Sequence, residues 1–177
     1  MGANMDRLAH WDNVYSSKAE DAVSWFTPNP TLSVELIRQV LPGTQCRIID
    51  VGGGASVLVD KLLDEGFHTV AVLDISEAAL NRSRQRLGDR ARSVRWIVAD
   101  VTRMEDAGQF DVWHDRAVFS FLDRTEGPRA LRSGCQENCT DWASSHYFHV
   151  RNRRPAELQR TERLPVQCSI PGGSPWR

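Results

Sequence analysis

The stretch "IIDVGGGASVLVDKLLDEG", Ile48–Gly66, decides how the rest of the chain is read. An apolar run ends in Asp50, three glycines follow at Gly52, Gly53 and Gly54, and a helical pattern closes at Gly66. A short apolar run bounded by a turn signal reads as a buried strand. Glycine allows positive φ and lets a ligand come close to the backbone. A helix starting just after such a turn offers free N–H groups and a partial positive end. A tight strand-to-helix turn without a ligand uses the same residues, so the neighbouring segments must decide.

Those segments alternate. Upstream, "DRLAHWDNVY" (Asp6–Tyr15) has the pattern of an amphipathic helix. "TLSVELIRQV" (Thr31–Val40) is a second helix, with Thr31 as its expected N-cap and Pro42-Gly43 as its stop. "CRIIDV" (Cys46–Val51) is the first strand, and "SVLVDKLLDEG" (Ser56–Gly66) the next helix, with Gly66 in its C-terminal cap. "TVAVLD" (Thr69–Asp74) is a second strand, and "SEAALNRSRQRLG" (Ser76–Gly88) a helix capped by Ser76. "VRWIVAD" (Val94–Asp100) and "FDVWHD" (Phe110–Asp115) are the third and fourth strands. Strands alternating with helices predict an α/β fold: a Rossmann-like parallel sheet with flanking helices, right-handed crossovers and strand order 3-2-1-4. The N-terminal helices are expected at the carboxyl edge of the sheet.

In such sheets ligands bind beyond the carboxyl ends of the strands, near the switch point. Asp50, Asp74 and Asp100 end three successive strands. One strand-end Asp is often only a turn former. Three at one edge, with Asp74 roughly twenty residues past the glycines, point to a nucleoside ligand. The dinucleotide fingerprint needs a third glycine where this chain has Val57, and no phosphate-cradling Gly-Lys-Ser/Thr loop exists. A sulfonium nucleoside carries no pyrophosphate and adds positive charge, which an acid beside the glycine turn suits.

The motifs "IIDVGGGAS", "LDIS", "VADV" and "FDVWHDRAVFSFL", in that order and spacing, resemble the class I S-adenosylmethionine-dependent methyltransferases. The segment "HWDNVYSSKAEDAVSWFTPNPTLSVELI" is similar to a group of small bacterial methyltransferases related to the mitochondrial lysine methyltransferase of citrate synthase. The resemblance covers about Met5–Leu122. It implies that Asp50, Gly52, Gly53 and Gly54 meet the methionine part of S-adenosylmethionine. It implies that Asp74, with Ile75, holds the ribose, and that Asp100, with Val101, faces the adenine. It places Asp115 and Arg116 after the fourth strand, at the methyl-transfer site. Ser120 stands where that group usually has His.

Methyl transfer from a sulfonium is an in-line displacement that needs mainly positioning. An amine acceptor must arrive neutral, so a base helps. His114 and Asp115 are the candidates, beside Arg116. His114 also reads as a strand-end residue bonded to backbone, and Asp115–Arg116 as a loop ion pair. Trp11, Tyr15, Trp25 and Phe26 read as an aromatic lid over the cofactor or as core of the N-terminal helices.

Length and composition bound the function. At 177 residues with net charge −1, the chain suits one domain and carries no basic field for nucleic acid. No apolar run is long enough to span a membrane. The N-terminus lacks a signal-peptide layout, and the cysteines do not form a disulfide scaffold. A cytoplasmic monomer is expected, acting on a protein lysine or a small molecule, with no metal. The alternative is a non-catalytic nucleoside-binding or interaction protein with a disordered tail.

Residues 123–177 break the pattern. Val, Leu and Ile number 30 in residues 1–122 and only 6 in residues 123–177, which also lack lysine. Such a segment buries too little apolar surface to fold alone. The sheet is therefore expected to stop after its fourth strand, giving a methyltransferase part at 1–122 and an irregular tail at 123–177. Shifting the reading frame by one base turns the Trp142–Ala143 codons into one for glycine, and the surrounding codons then permit "TVPTG…IISTFATDGP". That string resembles the family's fifth-strand region, so the tail reads as an out-of-frame translation that impairs activity. On this reading Cys135, Cys139, His146 and His149 only imitate a metal cluster, and the arginines at 151–154 only imitate a nucleic-acid patch.

Overall fold

The computed structural model describes residues 2–18, 23, 26–41, 43–104, 107–116, 118 and 146–150; residues 2–6, 116 and 146–150 are described by their backbone. The elements are α1 Gly2–Ser17, α2 Thr31–Val40, β1 Arg47–Val51, α3 Leu58–Asp64, β2 Thr69–Asp74, α4 Glu77–Leu87, a 3₁₀ turn Gly88–Ser93, β3 Val94–Val98, β4 Val112–Arg116 and β5 His146–Val150. The strands form one sheet in the order β3-β2-β1-β4-β5. All pairings are parallel, and one rung runs Trp96–Val72–Asp50–His114–Phe148. The expected order 3-2-1-4 is present.

The fifth strand corrects one expectation: the sheet does not stop at β4. Residues His146–Val150 pair along the whole of β4, from Val112↔His146 to Arg116↔Val150. Composition misled here because pairing is made by backbone groups. An open strand edge offers a row of N–H and C=O groups, and "HYFHV" has the aromatic and β-branched content that fits a pleated surface. The strand lies where the shifted reading placed a strand, but it forms from the residues as written.

The two faces of the sheet bury separate cores. Ile48, Val70, Val72, Val94 and Val112 pack against Leu36 and Ile37 of α2, Leu58, Val59 and Leu62 of α3, and Leu80 and Leu87 of α4. Ile49, Val51, Ala71, Leu73 and Trp113 face Val101, Ala107 and Phe110 of the β3–β4 connection. Alternation along each strand makes this division. It also sends Asp50 and His114 to the helical face, level with the N-terminal half of α2.

Local chemistry sets the element ends. Thr31 is not the N-cap of α2: Pro30 holds that position without a side-chain bond, and Thr31 is the first helical residue. A proline before the first turn needs no N–H there, so the hydroxyl is dispensable. Helix α3 starts at Leu58, two residues later than expected, because the Ser56 hydroxyl accepts the Leu58 N–H and makes a turn first. It ends as read: Gly66 has φ 84°, its N–H bonds the Leu63 carbonyl, and Phe67 N–H bonds that of Leu62. Ser76 caps α4 by accepting the Ala79 N–H at 3.2 Å. Among the described residues no helix is long and apolar enough to cross a membrane.

Candidate functional site

The glycine turn leaves β1 and is welded to β2. The N–H groups of Gly52 and Gly53 both bond the Leu73 carbonyl, at 2.7 and 3.2 Å. Gly52 has φ 68°, and a Cβ there would run into the Val118 side chain. A Cβ at Gly53 would lie 2.6 Å from both Asp50 Oδ2 and Val72 Cγ1, and one at Gly54 2.6 Å from Asp74 Oδ2. The three glycines are thus required by the two carboxylates and by the β4 exit, which crowd the turn from below. Helix α3 has only seven residues, so its dipole contributes little; the carboxylates carry the local charge.

Asp50 is 2 % exposed. Its Oδ1 meets His114 Nδ1 at 2.8 Å, while Oδ2 is buried without a hydrogen-bond partner and lies against the turn. Asp74 accepts the Ser76 N–H at 2.9 Å. Burial, and then the nearby Asp50 and Asp12 carboxylates, push its pKa from 3.8 up to about 7, against the lowering effect of the Ser76 and Ile75 backbone bonds. Asp100 accepts both the N–H and the hydroxyl of Thr102 on Oδ1, at 2.9 and 2.7 Å. Its Oδ2 lies 3.5 Å from Arg7 Nη1, and neither atom has a hydrogen-bond partner.

Helix α1 lies over this edge. Arg7 reaches Asp100, and the Ser76 hydroxyl donates to Asp12 at 2.5 Å. Tyr15 is buried with Ala55 and Ala79, and Trp11 packs against them. The aromatic lid read from Trp11 and Tyr15 therefore sits on the exit of the glycine turn. Trp25 lies outside the described residues.

The fourth strand brings His114 and Asp115 to the same edge but buries them, at 1 % and 0 % exposure. His114 is bonded by both ring nitrogens, to Asp50 and to Ser33 Oγ at 3.0 Å. It is bonded to side chains rather than to backbone. Asp115 Oδ1 accepts the Val118 N–H at 3.0 Å, which shapes the loop that presses Val118 on Gly52. The Arg116 side chain is outside the described residues, as are Cys135 and Cys139. Val101 is buried in the core on the other face, and Ile75 is half-buried at the β2 tip.

Residues 48–136 match the family described as "Methyltransferase domain". The chain belongs to that family. The match spans the glycine turn and the strand tips, and it runs past Leu122. Among curated proteins, the mouse (Mus musculus) eEF1A lysine and N-terminal methyltransferase is 23% identical over 152 residues, 77% of this chain and 22% of that protein. Methyltransferase srdJ of Neurospora crassa is 29% identical over 107 residues, 57% of this chain and 44% of that protein. This chain thus spans about a fifth of the mouse relative and under half of the fungal one. Among solved structures, the N-methyltransferase NodS of Bradyrhizobium japonicum WM9, in complex with S-adenosyl-l-homocysteine, has a TM-score of 0.62 at 18% identity, covering 82% of this chain and 71% of that one. The glycopeptide N-methyltransferase MtfA, complexed with S-adenosyl-L-methionine, has a TM-score of 0.58 at 18% identity, covering 67% of this chain and 52% of that one. Both show a shared fold. None of these comparisons supports a change of reading frame.

Further residues, which the sequence reading missed, brace the glycine turn. The Ser83 hydroxyl donates to the Gly54 carbonyl at 2.7 Å. Arg86 binds Asp60 at 2.8 Å and the carbonyls of Ala55 and Ser56 at 3.2 and 2.7 Å. Both lie on α4, a turn apart, and grip the loop from outside. An Arg and a Ser on an exposed-looking helix carry no signal in a lone sequence. Ser33 is missed for the same reason.

Proposed function

We propose that this domain transfers a methyl group from S-adenosylmethionine to an amine, of a protein lysine or a small molecule. One observation carries the reading: the unpartnered, buried Oδ2 of Asp50 lies against a turn of three glycines, with Asp74 and Asp100 on the next two strand tips. A buried carboxylate oxygen without a donor is costly, and a cationic amino group offsets that cost. The residues present therefore fit this cofactor. When bound, it supplies a methyl group on a positively charged sulfur.

Asp50 and the backbone of Gly52, Gly53 and Gly54 would hold the methionine part. Asp74 and Ile75 would hold the ribose. Asp100 and Val101 would hold the adenine, with Arg7 withdrawing from Asp100. Asp115 and Arg116 would stand on the acceptor side. His114 has no nitrogen left for an acceptor proton in the arrangement above, so its part is to position Asp50. The site's work is binding, orientation and exclusion of water.

The narrower kinship with the citrate-synthase lysine methyltransferase, a cytoplasmic location and a monomeric state belong to the same proposal. So does the frame change beyond residue 122, which rests on the fall in Val, Leu and Ile from 30 to 6. DNA sequence across the Leu122 codon tests it. Calorimetry with S-adenosylmethionine, S-adenosylhomocysteine and NAD, followed by methyl transfer to an acceptor panel, tests the activity. Binding of the first two and transfer to an amine are expected. Tighter binding of NAD would overturn the cofactor, and binding without transfer to any acceptor would leave a nucleoside-binding protein.

A further inference from the structure

We propose that Ser33 and His114 form a buried positioning relay that sets the rotamer of Asp50 and so the affinity for the cofactor's amino group. The proposal rests on the reading of the site given above. The three side chains come from α2, β4 and β1 and are 2 %, 1 % and 2 % exposed. Ser33 Oγ lies 3.0 Å from His114 Nε2, and His114 Nδ1 lies 2.8 Å from Asp50 Oδ1. A carboxylate only accepts, so in the neutral ring Nδ1 carries the proton and Nε2 accepts from the serine hydroxyl.

The layout follows from the fold. Asp50 and His114 are partners on one rung of the parallel β1–β4 pair, so their side chains leave the same face side by side. Ser33 shares the buried stripe of α2 with Val34, Leu36 and Ile37. A polar residue in such a stripe, below a histidine, needs a partner; here each group supplies the other's.

The consequence lies at the far oxygen. With Oδ1 held by His114, the carboxylate cannot turn freely about χ2, and Oδ2 stays against Gly53, where it has no partner. The order of the three groups resembles a hydrolytic triad, but at 2 % exposure Ser33 lies at the buried end of the chain. The functional atom is at the opposite end, on Asp50.

The test compares Ser33→Ala, His114→Asn and His114→Phe with the unaltered chain. S-Adenosylmethionine affinity is measured by calorimetry, and KM against kcat at saturating acceptor. His114→Asn keeps a donor near the Nδ1 position and should hold affinity within about threefold. His114→Phe removes the donor and should weaken it about 10- to 100-fold, as expected for a charge-assisted hydrogen bond. Ser33→Ala should weaken it about three- to tenfold. In each case KM for the cofactor should rise more than kcat falls. A fall in kcat at saturating cofactor with unchanged KM overturns the relay and makes His114 a proton acceptor.

A second measurement separates this proposal from the one beneath it. Nitrogen NMR of the ligand-free protein reads the histidine tautomer directly. The Nδ1-protonated form is expected both in the unaltered chain and in Ser33→Ala, because Asp50 fixes it, and the Nε2 resonance alone should shift in Ser33→Ala, where its hydroxyl donor is lost. If the chain binds no S-adenosylmethionine yet shows that tautomer and that shift, the functional reading fails while the Ser33–His114–Asp50 geometry stands and the link to cofactor affinity is overturned. An Nε2-protonated histidine, or an Nε2 resonance indifferent to Ser33→Ala, overturns the relay outright.

Discussion

Asp50 and His114 face each other across β1 and β4 on the same rung, with 2.8 Å between Oδ1 and Nδ1. That contact joins the glycine turn to the fourth strand through the core rather than through solvent. It also fixes which carboxylate oxygen looks at the turn. The neighbouring Asp74 feels the result, because the Asp50 charge is one of the causes that raise its pKa.

Asp74 should make the free protein less stable as pH rises. Its folded pKa, about 7, is above its ordinary 3.8, so the folded chain binds more protons than the unfolded chain between those values. Stability is then greatest below about pH 4, falls through the window up to about 7, and is flat beyond. The total from this group is about 4 kcal/mol at about 1.4 kcal/mol per unit. Urea unfolding should show the slope, and Asp74→Asn should flatten it while keeping the bond to Ser76 N–H. The same variant should bind S-adenosylmethionine more weakly, by about 2 kcal/mol. An unchanged pH slope in Asp74→Asn would place the titrating group elsewhere.

Gly53→Ala should damage site and stability together. The new Cβ would lie 2.6 Å from Asp50 Oδ2 and from Val72 Cγ1. Such overpacking costs about 1–3 kcal/mol. Thermal unfolding with and without cofactor checks it. At Gly43, where nothing lies within 4 Å of an added Cβ, alanine should be tolerated.

Arg86→Met should loosen the loop after the glycines. It removes the bonds to Asp60 and to the Ala55 and Ser56 carbonyls. A loss of about 1–3 kcal/mol is expected, because two carbonyls and a part-buried carboxylate lose a charged donor. Hydrogen exchange should speed up at residues 53–58 more than in β2. Uniform exchange across the sheet would argue against a local clamp.

Ser76→Ala should cost about 1–2 kcal/mol, since Ser76 both caps α4 and ties it to Asp12 of α1. A double-mutant cycle with Asp12→Ala isolates the tie and should give a coupling of about 1 kcal/mol. Zero coupling would mean that α1 is held over the edge by Tyr15 and Arg7 without help from Asp12.

Much of the fold was legible because its signals are local. The period of the apolar residues, the glycines at 52–54, Ser76 and Gly66 each act within a few positions of their own chain, so α2, β1, β2 and α4 and the order 3-2-1-4 could be read directly. The strand-tip acids were legible for the same reason. Errors of one or two residues, at Thr31 and Ser56, arose where a proline or a side-chain turn displaced the expected cap. The fifth strand was not legible, because pairing along β4 is made by backbone groups that composition does not reveal.

By itself the sequence determined a parallel sheet with a glycine turn and three acids at one edge. Only the tertiary structure decided what those acids are bonded to. The contact of Asp50 with His114 spans 64 positions and that of His114 with Ser33 spans 81. Arg7 on Asp100, and Arg86 on Ala55, are likewise contacts between separate elements. Such pairs depend on strand register and on which stripe of a helix meets the sheet, and periodicity specifies a face without naming the partner across it. That is why His114 reads in the sequence as a base and stands in the fold as a bonded support for Asp50.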